Sequence, residues 1–352
     1  MATLAEFTLT DTRSMRADFM ELSALFSSRG KSSKATILGV LDLSNDGAVP
    51  FVEPEGEYFD EEIVESEREQ LVTKTFEELL YRQYCLEGAY PFTVDPRTQT
   101  LSLLDIKPEE HCGRAVYLFC LLASAIRVDQ LQGGRDLDVV EAAIPTNFQI
   151  CACLAAGGFL AGHVSSFGFP RATGESFLPA LQDTFARFGV GSVRAEILDG
   201  MPQDLKDGGI DVIAWRELPD RMPGKLYLLG QSASGKNWKS KSVVEYIEQL
   251  HGSWFTEAPA ALTATPAMFI PFPLHHDMDE PRRDSFVVAL KRLFWHEEKR
   301  YGIIFDRIRI PHLANVCINF DPDARQRVES ADQFARIDRW VTETVSLFRS
   351  AQ

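Results

Sequence analysis

With 352 residues, 45% hydrophobic and 25% charged, the chain has the length of about two domains and a globular composition, which excludes disorder as its main state. A formal net charge of -15 excludes a generally basic nucleic-acid coat, while leaving room for a local basic strip, because the field that matters is local. The N-terminal stretch carries acids early, and the longest apolar run, 150–162, is short and glycine-rich for a membrane span. A soluble cytoplasmic chain without membrane contact is expected. Six cysteines (Cys85, Cys112, Cys120, Cys151, Cys153 and Cys317) include no C-x-x-C pair. That pattern favours free, buried thiols in a reducing compartment over a zinc ribbon or a redox motif.

In chain order, the first feature is an acidic run over 53–69, where nine acids face only Arg68. It reads as a solvated loop entering a helix, or, more sharply, as a docking surface for a basic partner or a DNA mimic. Apolar positions at helical spacing follow over 61–87, and a nearly all-apolar helix is expected over 113–126. Residues 90–104, with two prolines and weak alternation, predict a small hairpin or loop between them. Residues 1–145 thus form a mainly helical N-terminal domain with an interaction or regulatory character.

From 146 to 352 the pattern changes. Helices are expected over 148–160 and 175–189, then strands over 192–198, 210–218 and 225–231. A helix over 242–250, a strand over 267–272, a helix over 284–296, a strand over 301–310 and a last amphipathic helix over 332–348 complete the chain. This order predicts an α/β fold, a mixed sheet flanked by helices.

The chemistry-bearing stretch is Asp207-Gly-Gly-Ile-Asp-Val-Ile-Ala-Trp215, followed by a strand ending in Gln231. The two glycines make a tight turn from which Asp211 emerges at a strand start. If the two strands are antiparallel neighbours, Asp211 and Gln231 stand side by side. A carboxylate and an amide oxygen on one sheet edge suit Mg²⁺, or Mn²⁺, which needs few protein ligands. The plainer alternative is that Asp211 braces the turn.

These segments resemble the PD-(D/E)xK nuclease superfamily, in its Mrr-like restriction endonuclease branch, over about 174–272. The resemblance implies a restriction-endonuclease-like sheet and Mg²⁺-dependent phosphodiester cleavage, of DNA, in a restriction or anti-phage setting. It maps the helix glutamate onto Glu175, the metal-binding aspartate onto Asp211, and the glutamine that replaces the second acid onto Gln231. Glu196, on the predicted strand before Asp211, is a rival second carboxylate for the metal. The usual lysine slot holds Ala233, so a lysine would have to reach back from Lys236 or Lys239. Arg221, Lys225, Lys236, Lys239 and Lys241 form a basic strip suited to a phosphate backbone. Trp238 would stack a base or close the core.

Two other readings stay open. Gly230–Asn237 fits the G-x-x-x-x-G-K frame of a nucleotide-binding loop, with Asn237 where a Ser or Thr should hold Mg²⁺. The chain could also be an interaction subunit that kept a nuclease fold without its lysine. A protein partner through the acidic N-terminal half, and self-association, are compatible with either. His275-His276-Asp277 reads as an exposed polar loop, and no G-x-S-x-G elbow occurs.

Overall fold

The computed structural model describes residues 3–8, 10–46, 61–105, 111–171, 173–202, 205–220, 222, 224–259 and 264–349. The first part of the acidic run, residues 53–60, and Arg221 lie outside them.

The chain opens with β1 (Thr3–Leu4), α1 (Arg13–Phe26), β2 (Lys31–Ser33), α2 (Lys34–Asp46) and α3 (Glu61–Leu86). The expected hairpin is β3 (Phe92–Asp95) and β4 (Thr100–Leu103), antiparallel, with β2 on the other side of β4. Then come α4 (Cys112–Arg127), β5 (Leu131–Gln132), α5 (Arg135–Ala142) and α6 (Ile144–Leu160). Thr12 caps α1, its hydroxyl accepting from the Met15 N–H at 3.3 Å. The first amides of α4 are met from across the fold by the side chains of Asn319 and Asn315. Helix α6 is apolar nearly all round and buried on most sides.

The central sheet has five strands. In chain order they are β6 (His163–Ser166), β8 (Val212–Arg216), β9 (Leu226–Ser232), β11 (Ala264–Phe269) and β12 (Ile303–Phe305). Helix α7 (Phe177–Phe188) and the short β7 (Ser192–Val193) come between β6 and β8, and α8 (Val243–Trp254) and β10 (Phe255–Glu257) between β9 and β11. The spatial order is β12-β11-β9-β8-β6. Strands β6, β8 and β9 are antiparallel, whereas β9, β11 and β12 run parallel. Parallel pairing needs a long crossover, and α8 and α9 (Phe286–Tyr301) supply the two. Helices α10 (Ile310–Asn315), α11 (Ala324–Arg327) and α12 (Phe334–Arg349) end the chain. The fold is therefore α/β, with a mixed sheet flanked by helices.

Two expected strands change. Residues 192–198 give only β7, which pairs with β10 in a separate ribbon. The third antiparallel strand is β6, whose sequence His-Val-Ser-Ser has little strand character of its own. The strand expected over 301–310 shrinks to β12, because Tyr301 ends α9 and Asp306 accepts from the Ile308 and Arg309 amides, turning the chain towards α10.

Alternation along β8 and β9 divides the sheet's faces. Val212, Ala214 and Leu228 join a core that runs from Phe7 to Phe348 and includes α1, α4, α6, α10 and α12. Ile213, Trp215, Tyr227 and Leu229 join a second core with α7 and α8. The boundary expected near residue 145 runs through the first core: Phe26 stacks on Phe348 at 5.0 Å and Phe119 lies 4.7 Å from Trp340. At Gly158 a Cβ would collide with the Leu313 carbonyl, so α6 and α10 cross at backbone contact. The stretch Arg135–Leu160 is long and apolar enough to cross a membrane by length and composition, and 56% of that window is buried inside the fold.

A buried charge network joins the N-terminal helices to the far side of the sheet. Arg82 donates from Nε to Glu78 at 2.8 Å, from Nη1 to Asp18 at 2.7 Å and from Nη2 to the Ser14 hydroxyl at 2.9 Å. Its Nη1 also lies 3.0 Å from Glu21. Arg307 pairs with Asp18 and donates to the Ser124 hydroxyl. Glu21 accepts from the hydroxyls of Tyr90 and Tyr117. His275 Nε2 lies 2.9 Å from Glu78 Oε1. The expectation of an exposed His275–His276 loop is thus overturned: the two side chains are 1% and 6% exposed, because these acids recruit them inward.

Burial alone would raise the Asp18 carboxyl, but the charges of Arg307 and Arg82 outweigh it and hold it at about 2. Burial likewise opposes ionisation of Glu78, and His275 and Arg82 hold it well below the usual carboxylate range. Depressed carboxyls stabilise the fold above their unfolded values near 4 and lose that contribution as pH falls through the folded ones. Arg82→Met leaves several buried carboxylates without their cation and is expected to cost about 3–5 kcal/mol in urea unfolding at neutral pH. The deficit relative to the parent should narrow below pH ~4, and a constant deficit across pH would contradict the account.

Candidate functional site

The site forms where β8 and β9 meet the Asp207–Gly209 turn. In the β8–β9 ladder Val212 pairs with Gly230, so Asp211 and Gln231 are the next opposed pair, and the Asp211 N–H donates to the Gly230 carbonyl at 2.8 Å. Directly opposed residues share a sheet face. The turn is braced by Asp207, whose Oδ1 accepts from the Gly209 N–H at 2.8 Å. Gly208 and Gly209 have φ of 61° and 81°, the left-handed region that glycine enters without cost. A Cβ at Gly209 would lie 2.5 Å from the Tyr246 ring. Because Asp207 braces the turn, Asp211 does not have to.

The Asp211 carboxylate instead spans the strand ends. Its Oδ2 accepts from the Ser232 N–H at 2.7 Å, while Oδ1 makes no hydrogen bond among the described residues. A Cβ built on Gly168 would lie 2.6 Å from that Oδ1 and would collide with Gln149 Oε1. Both oxygens therefore face one bare glycine. Gln149 comes from α6, and its Nε2 donates to the Ser166 hydroxyl at 2.8 Å, which orients the amide.

Gln231 is 5% exposed and its Oε1 has no hydrogen-bond partner among the described residues. A buried acceptor left unpaired carries a desolvation cost unless a ligand or water meets it. Gln231 lines a cavity of about 540 Å³ together with Lys206, Asp207, Gly208, Gly209 and Tyr246.

Burial, and then the nearby Asp207 carboxylate, push the Asp211 carboxyl up to about 7. The Ser232 N–H and the charge of Lys241 pull the other way. Lys241 is thus the lysine whose charge is felt at Asp211, and it makes no ion pair among the described residues. The other lysines of the basic strip are paired with other acids. Lys236 pairs with Asp129 at 2.9 Å and Lys239 lies 3.9 Å from Asp277. Lys225 is buried between Glu217, at 2.7 Å, and the Phe188 carbonyl. In this structure Lys236, Lys239 and Lys225 are turned to these partners and not to Asp211.

Trp238 is buried, 5.0 Å from Tyr301 and 6.1 Å from Phe272, and presents no face for a base. Ala233 is also buried, its N–H donating to the Phe269 carbonyl at 2.9 Å. Glu175 precedes α7 and lines a different cavity with Arg171 and Thr173. Glu196 is exposed in the bend after β7, off the central sheet. Neither glutamate is brought to Gln231.

Gln149, Gly168 and Asp207 are the residues that sequence reasoning missed. Asp207 was visible as the acid opening the turn. Gln149 and Gly168 carry no local signal, since only the packing of α6 under the sheet brings them there. Among the described residues no three His, Cys, Asp or Glu side chains converge on a metal position. A hard cation here would rest on Asp211 together with amide oxygens, a donor set that suits Mg²⁺ with most of its waters retained. The unpartnered Gln231 Oε1 and the desolvated Asp211 carboxyl, with a second carboxylate nearby, fit that donor set.

The G-x-x-x-x-G-K frame has a different geometry from a phosphate nest. The Ser232 and Ala233 amides are engaged by Asp211 and Phe269. A short 3-10 turn, Lys236–Ser240, separates the frame from α8. No protein-family model, curated protein or solved structure matches the chain.

Because its pKa is raised, folded Asp211 keeps a proton that the unfolded chain releases near pH ~4. The fold therefore loses stability as pH rises from about 4 to about 7. Asp211→Asn keeps an acceptor for the Ser232 N–H and removes the charge. Its melting temperature should exceed the parent's by a few degrees at pH 8 and match it near pH 4. A variant less stable at pH 8 would refute the desolvated-carboxylate account.

Proposed function

We propose that the chain is a divalent-cation-dependent nuclease of the PD-(D/E)xK kind, acting on DNA. The observation that carries this reading is the opposed pair Asp211 and Gln231 at one end of a mixed sheet, with the charge of Lys241 felt at Asp211 and the Gln231 amide oxygen unpartnered among the described residues. The strand bearing the aspartate and the strand bearing the glutamine are antiparallel neighbours, in the order that the resemblance implies.

Asp211 and Gln231 would hold Mg²⁺ or Mn²⁺, with Gln149 Oε1 and Asp207 close by. The cation, when bound, would supply neutralisation of charge on the phosphoryl oxygens. Lys241 would take the role of the lysine absent at Ala233, placing a positive charge where negative charge develops in the transition state. Gln149 would orient Asp211 from beneath. The setting, restriction or anti-phage defence with a partner bound through the N-terminal half, rests on the resemblance alone.

Cleavage of duplex DNA, single-stranded DNA and RNA should be measured with Mg²⁺ or Mn²⁺ and with chelator. Asp211→Asn should abolish cleavage while staying folded. Lys241→Ala should lower the rate on the order of a hundredfold or more, whereas Lys236→Ala and Lys239→Ala should cost far less. Equal losses at Lys236 would reassign the lysine. Parent protein that cleaves none of these substrates, alone or with its partners, would instead favour the interaction subunit, with the buried Ala233 as the reason.

A further inference from the structure

Helix α9 is exposed over most of its length, and of its 16 residues only Leu290 and Tyr301 are buried. Three of the side chains it shows to solvent are large and apolar: Val287 is 48% exposed, Val288 41% and Trp295 65%. Trp295 follows the two valines by eight and seven residues, two turns of helix, so the three share one stripe. Val287, Lys291, Phe294 and Trp295 line a cavity of about 380 Å³, whose other walls include Tyr81 of α3 and Ile308 and Arg309 beyond β12. Tyr84, three residues after Tyr81 and so on the same side of α3, is 82% exposed. Isolated apolar side chains on a surface are ordinary, whereas a contiguous apolar set around a concavity marks a docking place. This groove shares no lining residue with the cavity beside Gln231.

Its rim is positive. Over 282–300 six cations stand against three acids, a local charge of +3 in a chain of -15. Two of those acids are engaged: Asp284 pairs with Arg292, and Glu298 lies 3.8 Å from Arg309. Arg282, Arg283, Lys291 and Lys299 are exposed and make no ion pair among the described residues. Lys299 lies over the Trp295 ring at 3.7 Å and Arg309 over the Phe294 ring at 4.0 Å, so cations edge the apolar walls themselves. This combination selects the occupant. A second copy presenting the same face would bring like charges together. A phosphate backbone gains nothing from walls of Val287, Leu290 and Ile308. A membrane surface is flat and cannot enter a concave cavity. An amphipathic protein segment with acids beside its apolar stripe satisfies both walls and rim.

We propose that the groove between α9 and α3 docks an acidic amphipathic helix of a partner protein. Its apolar side chains enter between Val287, Trp295 and Tyr81, and its carboxylates meet Lys291 in the middle and Arg282, Arg283 and Lys299 towards the two ends of α9. The proposal does not depend on the nuclease reading.

The test is fluorescence anisotropy of labelled synthetic peptides of about 15 residues, long enough to form a helix, titrated with the full chain. The acidic probe carries Leu or Phe at i, i+3, i+4 and i+7 with Glu and Gln elsewhere. Saturable binding is expected for it, and none for the same composition with the apolar residues scattered around the helix. Replacing its Glu by Lys should abolish binding. Trp295→Ala should weaken the acidic probe about tenfold, and Lys291→Glu about fivefold, while Lys34→Glu, a charge reversal of equal size on α2, should leave it unchanged. Lys291→Glu should in turn bind the lysine probe better than the parent does, a rescue that mere loss of stability cannot give. No binding of the acidic probe, equal binding of the lysine probe by the parent, or unchanged affinity in both Trp295→Ala and Lys291→Glu would overturn the proposal. So would Trp295-dependent self-association in sedimentation, displacement of the probe by a duplex oligonucleotide, or Trp295-dependent binding to phosphatidylserine vesicles, each of which gives the face to another occupant.

Discussion

The interaction on which the rest of the structure depends is the buried contact of Arg82 with Asp18, Glu21 and Glu78. Arg82 comes from α3 and its acids from α1 and α3, while Arg307 and His275 reach the same acids from segments beyond the sheet. Taking so many charges out of water is unfavourable unless each is met by a partner. The N-terminal helices and the sheet must therefore close together, because each half alone would leave buried charge unpaired. The shared apolar core, with α12 packed against α1 and α4, adds the non-directional part of the same closure.

This closure also reaches the candidate site. The turn Lys236–Ser240, immediately ahead of Lys241, is held from several directions. Asp129 of the N-terminal half takes Lys236, Asp277 lies beside Lys239, and the Tyr301 hydroxyl donates to the Lys239 carbonyl at 2.8 Å. Asp277 follows His275 and His276, which the buried network draws inward. A contiguous set of polar contacts thus links Arg82 to the turn before Lys241. Three lysines of the basic strip are ion-paired, whereas Lys241 makes no ion pair among the described residues.

At the strand ends the local arrangement is economical in residues. Asp207 braces the turn, two glycines in the left-handed region let it close against Tyr246, and among the described residues Asp211 Oδ1 is left without a hydrogen bond. Its partner across the ladder, Gln231, is buried, with its amide oxygen unpaired among the described residues. Such a combination destabilises the folded chain slightly at neutral pH. It is the kind of local cost that persists where a ligand relieves it.

The sequence by itself determined the α/β class, the helices with strong periodicity and the pairing of β8 with β9. Their apolar runs, and the Asp-Gly-Gly turn, specify local conformation wherever they sit. It also singled out Asp211 and Gln231, because a strand start and a strand end in antiparallel neighbours must oppose each other. Tertiary structure decided what side-chain type alone leaves open. A lysine is a phosphate ligand or half of an ion pair according to whether an acid lies within a few ångströms; Asp129 and Asp277 come from distant segments, and Glu217 from the end of the neighbouring strand. The strand character of His163–Ser166 arises from its ladder with β8, not from its residues. The burial of His275 and His276 has the same origin, since Glu78 and Asp18 are 197 and 258 residues away from them in the chain. Long-range electrostatic pairing has no periodicity, so no local pattern in the chain could have displayed it.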